Sequence, residues 1–452
     1  MTVTSLVPPA PPPTAPVDAW RDRPAAQQPP WPDADALRAA LDGLAARPPL
    51  TSPEECDLLR VRLAAVARSE AFLLQGGDCA ETFAEVTSDR VRAKAQVLQQ
   101  MSVVLGYAGS LPVVTVGRVA GQYAKPRSRP TETRDGETLP VYRGDAVNGP
   151  EFTARARTPD PDRLLRVYDA SVTTLNLLRA YAQGGVGDLL HLRDWSPDFT
   201  DLAPPAPGPR RLARDIDAAL RFLRARGTVT APTELFTSHE ALLLDYESAL
   251  TRPDPRTGDP YDLSGHLLWI GERTRQLDGA HIAFAASVRN PLGVKLGPTA
   301  TADEALALVD RLDPRREPGR LTFITRMGAD RVRDRLPELI EKTTAAGARV
   351  GWVCDPMHGN TFAAAGGLKT RRFDRIMDEI TGFFEVHRAL GTHPGGLHLE
   401  LTGTHVTECL GGADRLTEAD LPDRYETACD PRLNRSQALE LAFAVAELLR
   451  RP

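Results

Sequence analysis

Short apolar runs of about five residues recur along the chain, and each is followed closely by polar or charged side chains. Eight of these runs are predicted to form buried strands: Phe72–Gln75, Val113–Val116, Leu235–Thr237, Leu267–Ile270, Gly293–Leu296, Leu321–Thr325, Val350–Cys354 and Leu397–Leu401. Longer stretches with a helical period lie between most of them, most clearly Asp89–Leu105, Ala302–Leu312, Arg331–Ala346 and Arg371–Leu390. Alternating strands and helices predict a parallel α/β sheet, and eight such units predict closure into a (β/α)8 TIM barrel.

The alternative for such alternation is an open, doubly wound sheet. That fold usually has fewer strands and carries a glycine-rich phosphate-binding turn after its first strand. The turn after the first predicted strand reads Gln75-Gly76-Gly77-Asp78, which does not match that pattern. The barrel is therefore favoured.

The pattern also divides the chain into regions. We predict a disordered tail at 1–15, an N-terminal arm with helices at 16–70, and a barrel at 71–452 that contains an inserted helical region at 161–227. The helices of the insertion are predicted at Pro161–Gln183 and Arg211–Arg226. An insertion of this size is more typical of a regulatory or oligomeric role than of a catalytic one.

Two further segments have expected roles. The arm at 16–34, with Trp20 and Trp31, is a candidate for docking on a partner subunit. Residues 125–152 are predicted to be a long polar loop after the second strand. Loops of this length without secondary structure are commonly functional lids.

Composition narrows the classes of partner. The formal net charge is −5, so no broad basic field would attract nucleic acid or a membrane surface. An anionic substrate must instead be bound by a local cluster of Arg and Lys. The five cysteines show no regular spacing, which is typical of a reducing compartment. With neither a secretory signal nor a long apolar stretch, a cytoplasmic protein is expected.

The predicted strands end in side chains that can do chemistry. These are Cys79, Arg118, Glu272, Arg273, Lys295, Arg326, Asp355, His358 and Glu400, and Asp430 follows in a later loop. In a parallel barrel the carboxyl ends of all strands meet at one mouth, which is where enzymes of this fold carry their active sites. We therefore expect these residues to lie close together.

One subset of these residues has the character of metal ligands. Cys79, His358, Glu400 and Asp430 combine a thiolate, an imidazole and two carboxylates, which suits Mn, Fe, Co or Zn rather than Mg or Ca. No short spacing links them, and each alone is better explained as a packed or turn-forming residue. Their expected convergence at strand ends is what favours a metal site.

A second subset is cationic. Arg118, Arg273, Lys295 and Arg326 would repel each other at one mouth unless anions bind there, so phosphate is the natural ligand. The run Lys125-Pro126-Arg127-Ser128 is a further candidate for anion binding. Together the two subsets predict a metal-assisted barrel enzyme acting on one or two small phosphorylated substrates. They leave the reaction open.

Seven longer motifs carry a family resemblance. They are Leu-Gln-Gly-Gly-Asp-Cys-Ala-Glu (74–81), Gly-Arg-Val-Ala-Gly-Gln-Tyr-Ala-Lys-Pro-Arg-Ser (117–128), Trp-Ile-Gly-Glu-Arg-Thr-Arg-Gln (269–276), Gly-Val-Lys-Leu-Gly-Pro (293–298), Cys-Asp-Pro-Met-His-Gly-Asn-Thr (354–361), Thr-Glu-Cys-Leu-Gly-Gly (407–412) and Tyr-Glu-Thr-Ala-Cys-Asp-Pro-Arg-Leu-Asn (425–434). Over roughly residues 16–450 the chain resembles the type II (plant-like) 3-deoxy-D-arabino-heptulosonate 7-phosphate (DAHP) synthases, which catalyse the first step of the shikimate pathway.

The resemblance implies a role for each matching residue. Metal ligands would be Cys79, His358, Glu400 and Asp430, and the divalent ion most compatible with the family is Mn, with Co or Fe as alternatives. Phosphoenolpyruvate would be held by Arg118, Glu272, Arg273, Lys295 and Arg326. Erythrose 4-phosphate would be held by Lys125, Arg127 and Ser128. Glu272 is a candidate for positioning water, and Lys295 and His358 are candidates for proton transfer.

The resemblance also implies partners and leaves alternatives open. A homo-oligomer, dimer or tetramer, is expected, and some relatives pair with a chorismate mutase. An amino-sugar version of the reaction, serving an aminoshikimate pathway, would use almost the same motifs. A non-catalytic metabolite-sensing partner protein is the remote alternative, and it predicts a broken site position. Finally, Cys429 precedes Asp430, which suggests a Cys79–Cys429 disulfide as a redox switch in the metal-free protein.

Overall fold

Eight parallel strands close into a barrel in this computed structural model, which describes residues 16–183, 199–226 and 234–450. The strands are β1 Phe72–Gly77, β2 Val113–Arg118, β3 Phe236–Glu240, β4 Leu267–Ile270, β5 Leu292–Leu296, β6 Leu321–Thr325, β7 Gly351–Cys354 and β8 Gly396–Glu400. Each strand pairs with its neighbours in the sequence, and β8 pairs with β1 to complete the ring. The predicted (β/α)8 barrel is confirmed.

Helices surround the barrel and precede it. They are α1 Ala34–Ala45, α2 Pro53–Ala67, α3 Ser88–Gly109, α4 Ala154–Arg157, α5 Asp162–Gln183, α6 Phe199–Leu202, α7 Pro207–Ala225, α8 Leu244–Leu250, α9 Ala280–Ser287, α10 Ala302–Leu312, α11 Val332–Ala345, α12 Phe373–Ala389 and α13 Arg435–Arg450. Within the described ranges, none of them has the length and apolar character needed to cross a membrane. Helix α10 begins where the sequence predicts because Thr301 and Glu304 form a reciprocal capping box.

Apolar side chains fill the amino-terminal half of the barrel interior. Leu73, Val114, Phe236 and Leu267 at the strand starts belong to one buried cluster with Leu59, Leu63 and Val66 of α2. Helix α2 therefore closes this end of the barrel. The charged side chains Arg118, Glu240, Lys295 and Glu400 stand at or near the carboxyl ends of their strands.

The amino-terminal arm packs on its own barrel. Trp20 is buried against Leu244, Ala280, Phe284 and other apolar side chains of α8 and α9. Docking on a partner subunit, which the sequence suggested for this arm, is not needed to bury Trp20, because the chain itself provides the pocket. The tail predicted at 1–15 lies outside the described residues, as do 184–198 and 227 of the inserted region.

The long segment after β2 is partly structured, contrary to prediction. Strands Thr131–Arg134 and Glu137–Pro140 form an antiparallel hairpin within the expected loop of 125–152. Arg157 ties this hairpin to the segment that follows it, because its buried guanidinium donates hydrogen bonds to the carbonyls of Pro140, Pro150 and Glu151. Two further hairpins pair Thr251–Pro253 with Pro260–Asp262 and Thr361–Ala363 with Lys369–Arg371. Short 3-10 helices span Phe83–Glu85, His358–Asn360 and Leu421–Arg424.

Candidate active site

A cavity of about 540 Å³ opens at the carboxyl ends of the strands. Seven cationic side chains line it, against four acidic ones, although the chain as a whole carries a net charge of −5. The cationic residues are Lys125, Arg127, Arg129, Arg273, Lys295, Arg326 and Lys369, and the acidic residues are Glu132, Glu240, Glu272 and Asp430. The cavity therefore concentrates positive charge on a protein that is acidic overall.

Three predicted metal ligands converge beside this cavity. One ligand atom each from Cys79, Glu400 and Asp430 lies within 4.8 Å of the others. Gly77, at the end of β1, allows the turn to Cys79, because its φ is 146° and a Cβ would meet the Arg118 carbonyl oxygen at 2.6 Å. Cys79 and Glu400 are fully buried, so the cluster lies behind the cavity wall, with Asp430 at the boundary.

The ammonium group of Lys125 lies among these three groups. Its Nζ is 2.9 Å from Cys79 Sγ, 2.9 Å from Asp430 Oδ2 and 3.5 Å from Glu400 Oε1. Burial disfavours its charge, but the surrounding Asp430, Cys79 and Glu400 raise the pKa of Lys125 well above its usual value. The cluster thus holds a positive charge even among protein atoms alone.

His358 completes the predicted set from the neighbouring strand end. Its Nε2 lies 3.1 Å from Glu400 Oε1, and its Nδ1 lies 2.8 Å from Asp355 Oδ2. A thiol, two carboxylates and an imidazole oriented by a carboxylate fit a divalent transition ion. The fully buried Asp355 thus fixes the orientation of the His358 imidazole.

Lys295 shares the Asp355 carboxylate with His358. Its Nζ donates to Asp355 Oδ2 at 2.8 Å and lies 3.4 Å from His358 Nδ1. Burial lowers the pKa of Lys295 and of His358, although Asp355 partly opposes the shift in both. Burial acts to raise the pKa of Asp355, but His358 and Lys295 outweigh it and hold the pKa of that carboxyl well below its usual value.

Arg118, a predicted substrate-binding residue, lies buried beside Cys79 and Glu400, and its role in binding phosphoenolpyruvate stays a prediction. Its side chain is 1% exposed and is absent from the cavity wall. It donates to the carbonyls of Asp78 and Cys79 and to Glu400, contacts His398, and stacks over Trp269. Burial at the end of β2 therefore turns Arg118 toward the metal-ligand cluster, where it braces the backbone around Cys79.

The other predicted cations lie on the cavity wall. Arg273 donates from Nη2 to Ser128 Oγ at 2.6 Å, which joins the loops that follow β2 and β4. Arg326 donates to the carbonyl oxygen of His358 at 3.2 Å, and its Nε finds no hydrogen-bond partner within the described part of the chain. Together with Lys295 they form a group of cations that a phosphate could neutralise.

Glu272 and Glu240, two acidic residues of the cavity wall, differ in the hydrogen bonds that their side-chain oxygens accept. Glu272 accepts from the Gly297 amide at 2.7 Å and from Arg275 at 3.0 Å, so both its oxygens are engaged. Glu240, at the end of β3, is buried, and its Oε1 has no hydrogen-bond partner among the residues that the structure describes. Burial raises the pKa of Glu240, and Lys295, Lys125, Arg118 and Arg273 oppose that rise.

Sequence reasoning missed Glu240 and two cations near the cluster. Arg371 is fully buried with Nη2 2.8 Å from Glu400 Oε2, and Lys369 donates to Asp430 Oδ1 at 2.8 Å. Both belong to the hairpin strand Lys369–Arg371, and the alternation Lys-Thr-Arg in that short strand was the signal available. They hold the two carboxylates from the side opposite Lys125.

Cys429 lies directly against Cys79. The two residues share a small buried cluster with Ala80 and Tyr142. All five cysteines are free thiols in the structure. The suggested Cys79–Cys429 disulfide stays a prediction.

Comparisons with known proteins agree with the motifs. The model of the class-II DAHP synthetase family matches residues 15–446. Over 436 residues the chain is 64% identical to phospho-2-dehydro-3-deoxyheptonate aldolase of Streptomyces coelicolor, covering 96% of this chain and 97% of the relative. Over 442 residues it is 53% identical to phospho-2-dehydro-3-deoxyheptonate aldolase AroG of Mycolicibacterium smegmatis, covering 96% and 94%.

A solved structure shows a more distant likeness. The truncated form of 3-deoxy-D-arabino-heptulosonate 7-phosphate synthase from Thermotoga maritima is 12% identical, with a TM-score of 0.35 over 84% of this chain and 87% of that one. The family assignment depends on the match of sequence over nearly the whole chain. The chain belongs to the class-II DAHP synthetase family.

Proposed function

We propose that the protein is a DAHP synthase that condenses phosphoenolpyruvate with erythrose 4-phosphate and releases phosphate. The observation that carries this proposal is a strongly cationic cavity adjoining a buried cluster of a thiol, two carboxylates and an imidazole. Two anionic substrates can bind in such a cavity while a reacting oxygen faces the cluster. The relatives named above carry the same activity in their names.

Two groups of cations would orient the two substrates. Arg118, Arg273, Lys295 and Arg326, together with Glu272, would bind phosphoenolpyruvate on one side of the cavity. Lys125, Arg127 and Ser128 would bind the phosphate of the aldose on the other side. The hydrogen bond between Arg273 and Ser128 fixes the spacing between the two groups. Holding both reactants in this way contributes through proximity and through stabilisation of phosphate charge.

The reaction then requires one carbon–carbon bond, one proton and one water. Carbon 3 of phosphoenolpyruvate attacks the aldehyde carbon, and the aldehyde oxygen takes a proton. Lys295 is suited to supply it, because its ammonium group contacts Asp355 and burial lowers its pKa. His358 is the other candidate, although its Nδ1 faces Asp355 and its Nε2 faces Glu400 in the proposed metal site. Water adds at carbon 2, and the resulting adduct expels phosphate. Glu240, with its unpartnered oxygen, is suited to hold that water beside the predicted Glu272.

A divalent ion would be held by Cys79, His358, Glu400 and Asp430. It would supply Lewis-acid activation of the aldehyde oxygen. The thiol ligand favours Mn, Co or Fe over Mg or Ca, and Mn is the ion that we propose. Arg371 and Lys369 would keep Glu400 and Asp430 in place for it. The homo-oligomer and the pairing with a chorismate mutase expected from the family remain predictions.

A coupled assay tests the proposal. Purified protein with added Mn should consume phosphoenolpyruvate only when erythrose 4-phosphate is present, and should release one phosphate for each phosphoenolpyruvate consumed. The imino analogue of erythrose 4-phosphate is the matched comparison, because the amino-sugar version of the reaction would prefer it. If no phosphoenolpyruvate is consumed with either aldose, whether Mn, Co or Fe is added, the proposal is ruled out and the non-catalytic alternative is favoured.

A further inference from the structure

The amino-terminal arm contacts the loop that carries Lys125, Arg127 and Ser128. The side-chain Oε1 of Gln27 accepts a hydrogen bond from the backbone amide of Arg127 at 2.9 Å. The backbone carbonyl of the same Gln27 accepts from Nη1 of Arg143 at 3.0 Å. One residue of the arm therefore fixes two basic residues of the segment that follows β2.

The arm is held on both sides of Gln27. Before it, Trp20 is buried on α8 and α9, and the carbonyl of Pro24 accepts the first amide of α9 at 3.0 Å. After it, the side chain of Gln28 donates to the Leu242 carbonyl at 2.7 Å and accepts from the Leu244 amide at 3.3 Å. Gln27 therefore occupies a fixed position relative to the barrel, and a contact from it can position a loop.

The backbone of Gln27 adopts a conformation that most residues avoid. Its φ is 62°, in the left-handed region, where glycine is the favoured residue. A glycine here would relieve this cost but would remove the side chain that bonds Arg127. The presence of glutamine at this position indicates that the side chain does something that glycine could not.

Arg127 and Arg143 need such a contact because they repel each other. Burial and the charge of Arg127 lower the pKa of Arg143. The Arg143 backbone carbonyl also accepts from the Lys125 amide at 2.8 Å, so the two segments move together. With Gln27 bonded to both, the peptide between Pro126 and Arg127 has a single orientation, which sets the direction of the Arg127 side chain.

We propose that Gln27 is a positioning residue for the aldose phosphate site, acting through Arg127 although it does not line the cavity. The inference rests on the proposed role of Lys125, Arg127 and Ser128 in binding that phosphate. It extends the site to the amino-terminal arm, which is separated from β1 by helices α1 and α2. The arm then contributes to substrate affinity as well as to stability.

Two substitutions at position 27 test the proposal without endangering the fold. Gln27→Gly and Gln27→Asn both suit a left-handed backbone, and neither can reach the Arg127 amide. We expect an unchanged or higher melting temperature, a rise of about fivefold in KM for erythrose 4-phosphate, and little change in KM for phosphoenolpyruvate. A KM for erythrose 4-phosphate within about twofold of native in both variants overturns the proposal, as does an equal rise for both substrates.

A remote substitution and a matched control complete the experiment. Trp20→Ala loosens the arm far from the cavity and should reproduce the rise in KM for the aldose. Asp22→Ala alters an exposed side chain of the same arm and should change neither KM. If Trp20→Ala lowers the melting temperature without moving either KM, the arm has only a structural role and the proposal fails.

Arg127→Ala separates this inference from the proposed function beneath it. If Arg127→Ala raises KM for erythrose 4-phosphate and the two Gln27 variants do not, the phosphate site stands and the positioning role of Gln27 fails. If Arg127→Ala itself leaves that KM unchanged, the assignment of the phosphate site is wrong. Both outcomes are read from the same steady-state measurements.

Discussion

Glu240 has the surroundings expected of a residue that binds or deprotonates a water molecule. Its buried carboxyl group lies near four cations, and within 16–183, 199–226 and 234–450 one of its oxygens has no hydrogen-bond partner. Glu240→Gln keeps its shape but removes its charge and its ability to accept a proton from water. We expect kcat to fall by about a hundredfold, with KM for phosphoenolpyruvate nearly unchanged, in steady-state assays.

The same substitution at the rim of the cavity provides the control. Glu132→Gln alters a carboxylate that lines the cavity but is paired with Arg134 and Arg157. Its kcat should stay within about threefold of native, because a paired rim charge contributes little. Equal losses of kcat in both variants would mean that overall cavity charge, rather than Glu240 itself, controls the rate.

Glu240 could not be found from the sequence because β3 extends three residues beyond its prediction. Ser238 and His239 are polar, so the predicted strand ended at Thr237. Their side chains bond to partners outside the strand: Gly117 and Gln75 for Ser238, and Glu247 for His239. Burial of Arg118 was hidden for the same reason, since its acceptors come from other strand ends.

Helix α12 connects the loops that follow β6 and β7. Glu379 on this helix accepts from the Gly328 amide at 2.9 Å and from Asn360 Nδ2 at 2.7 Å. The loop after β6 carries Arg326, which we propose as a phosphoenolpyruvate-binding residue. The loop after β7 carries His358, which we propose as a metal ligand. Burial raises the pKa of Glu379 to about 8, and its single side chain joins the two loops without lining the cavity.

Glu379→Gln should disturb both loops. The amide can accept only one of the two hydrogen bonds, and its NH2 group would face the other donor, at a cost of about 1–3 kcal/mol. We expect a melting temperature several degrees lower and kcat reduced by about tenfold. Glu385→Gln on the exposed face of α12 removes a pair with Arg333 and should change neither value. A normal kcat for Glu379→Gln would show that the loops hold their spacing without it.

Elements built on apolar periodicity were predictable, and those built on polar pairing were not. All eight strands and the four clearest helices fall within a few residues of their predictions, because each buries an apolar face. The hairpin at 131–140 has strands Thr-Glu-Thr-Arg and Glu-Thr-Leu-Pro, which lack apolar alternation. Its order comes from Arg157 and backbone pairing, and no local pattern reveals either.

The molecule as a whole separates stability from chemistry along the barrel axis. Apolar packing with α2 fills the amino-terminal end, and charged side chains converge at the carboxyl end. The sequence predicted this arrangement from the order of apolar runs and polar strand ends. It did not reveal which surface the arm contacts, because burial of Trp20 depends on a pocket formed by α8 and α9 together.

Two buried histidines should make the whole fold sensitive to mild acid. Burial lowers the pKa of His281 to about 4 and that of His387 to about 3, from a usual value of 6.5. In the unfolded chain both would bind a proton near pH 6.5, whereas in the folded protein they stay neutral to much lower pH. The free energy of unfolding must therefore fall as the pH drops below 6.5, by about 2 kcal/mol for each histidine at pH 5.

His387→Phe isolates one of these contributions. The imidazole packs on the ring of Phe383 with centroids 4.4 Å apart, so an aromatic replacement can occupy its place, at the loss of a hydrogen bond to Thr392. Urea unfolding at pH 7.5 and pH 5 should show a smaller loss of stability for the variant than for the native protein, by about 2 kcal/mol. His405→Phe, at an exposed position, should retain the native difference. If all three proteins lose the same free energy of unfolding between pH 7.5 and pH 5, His387 is not a source of the acid sensitivity.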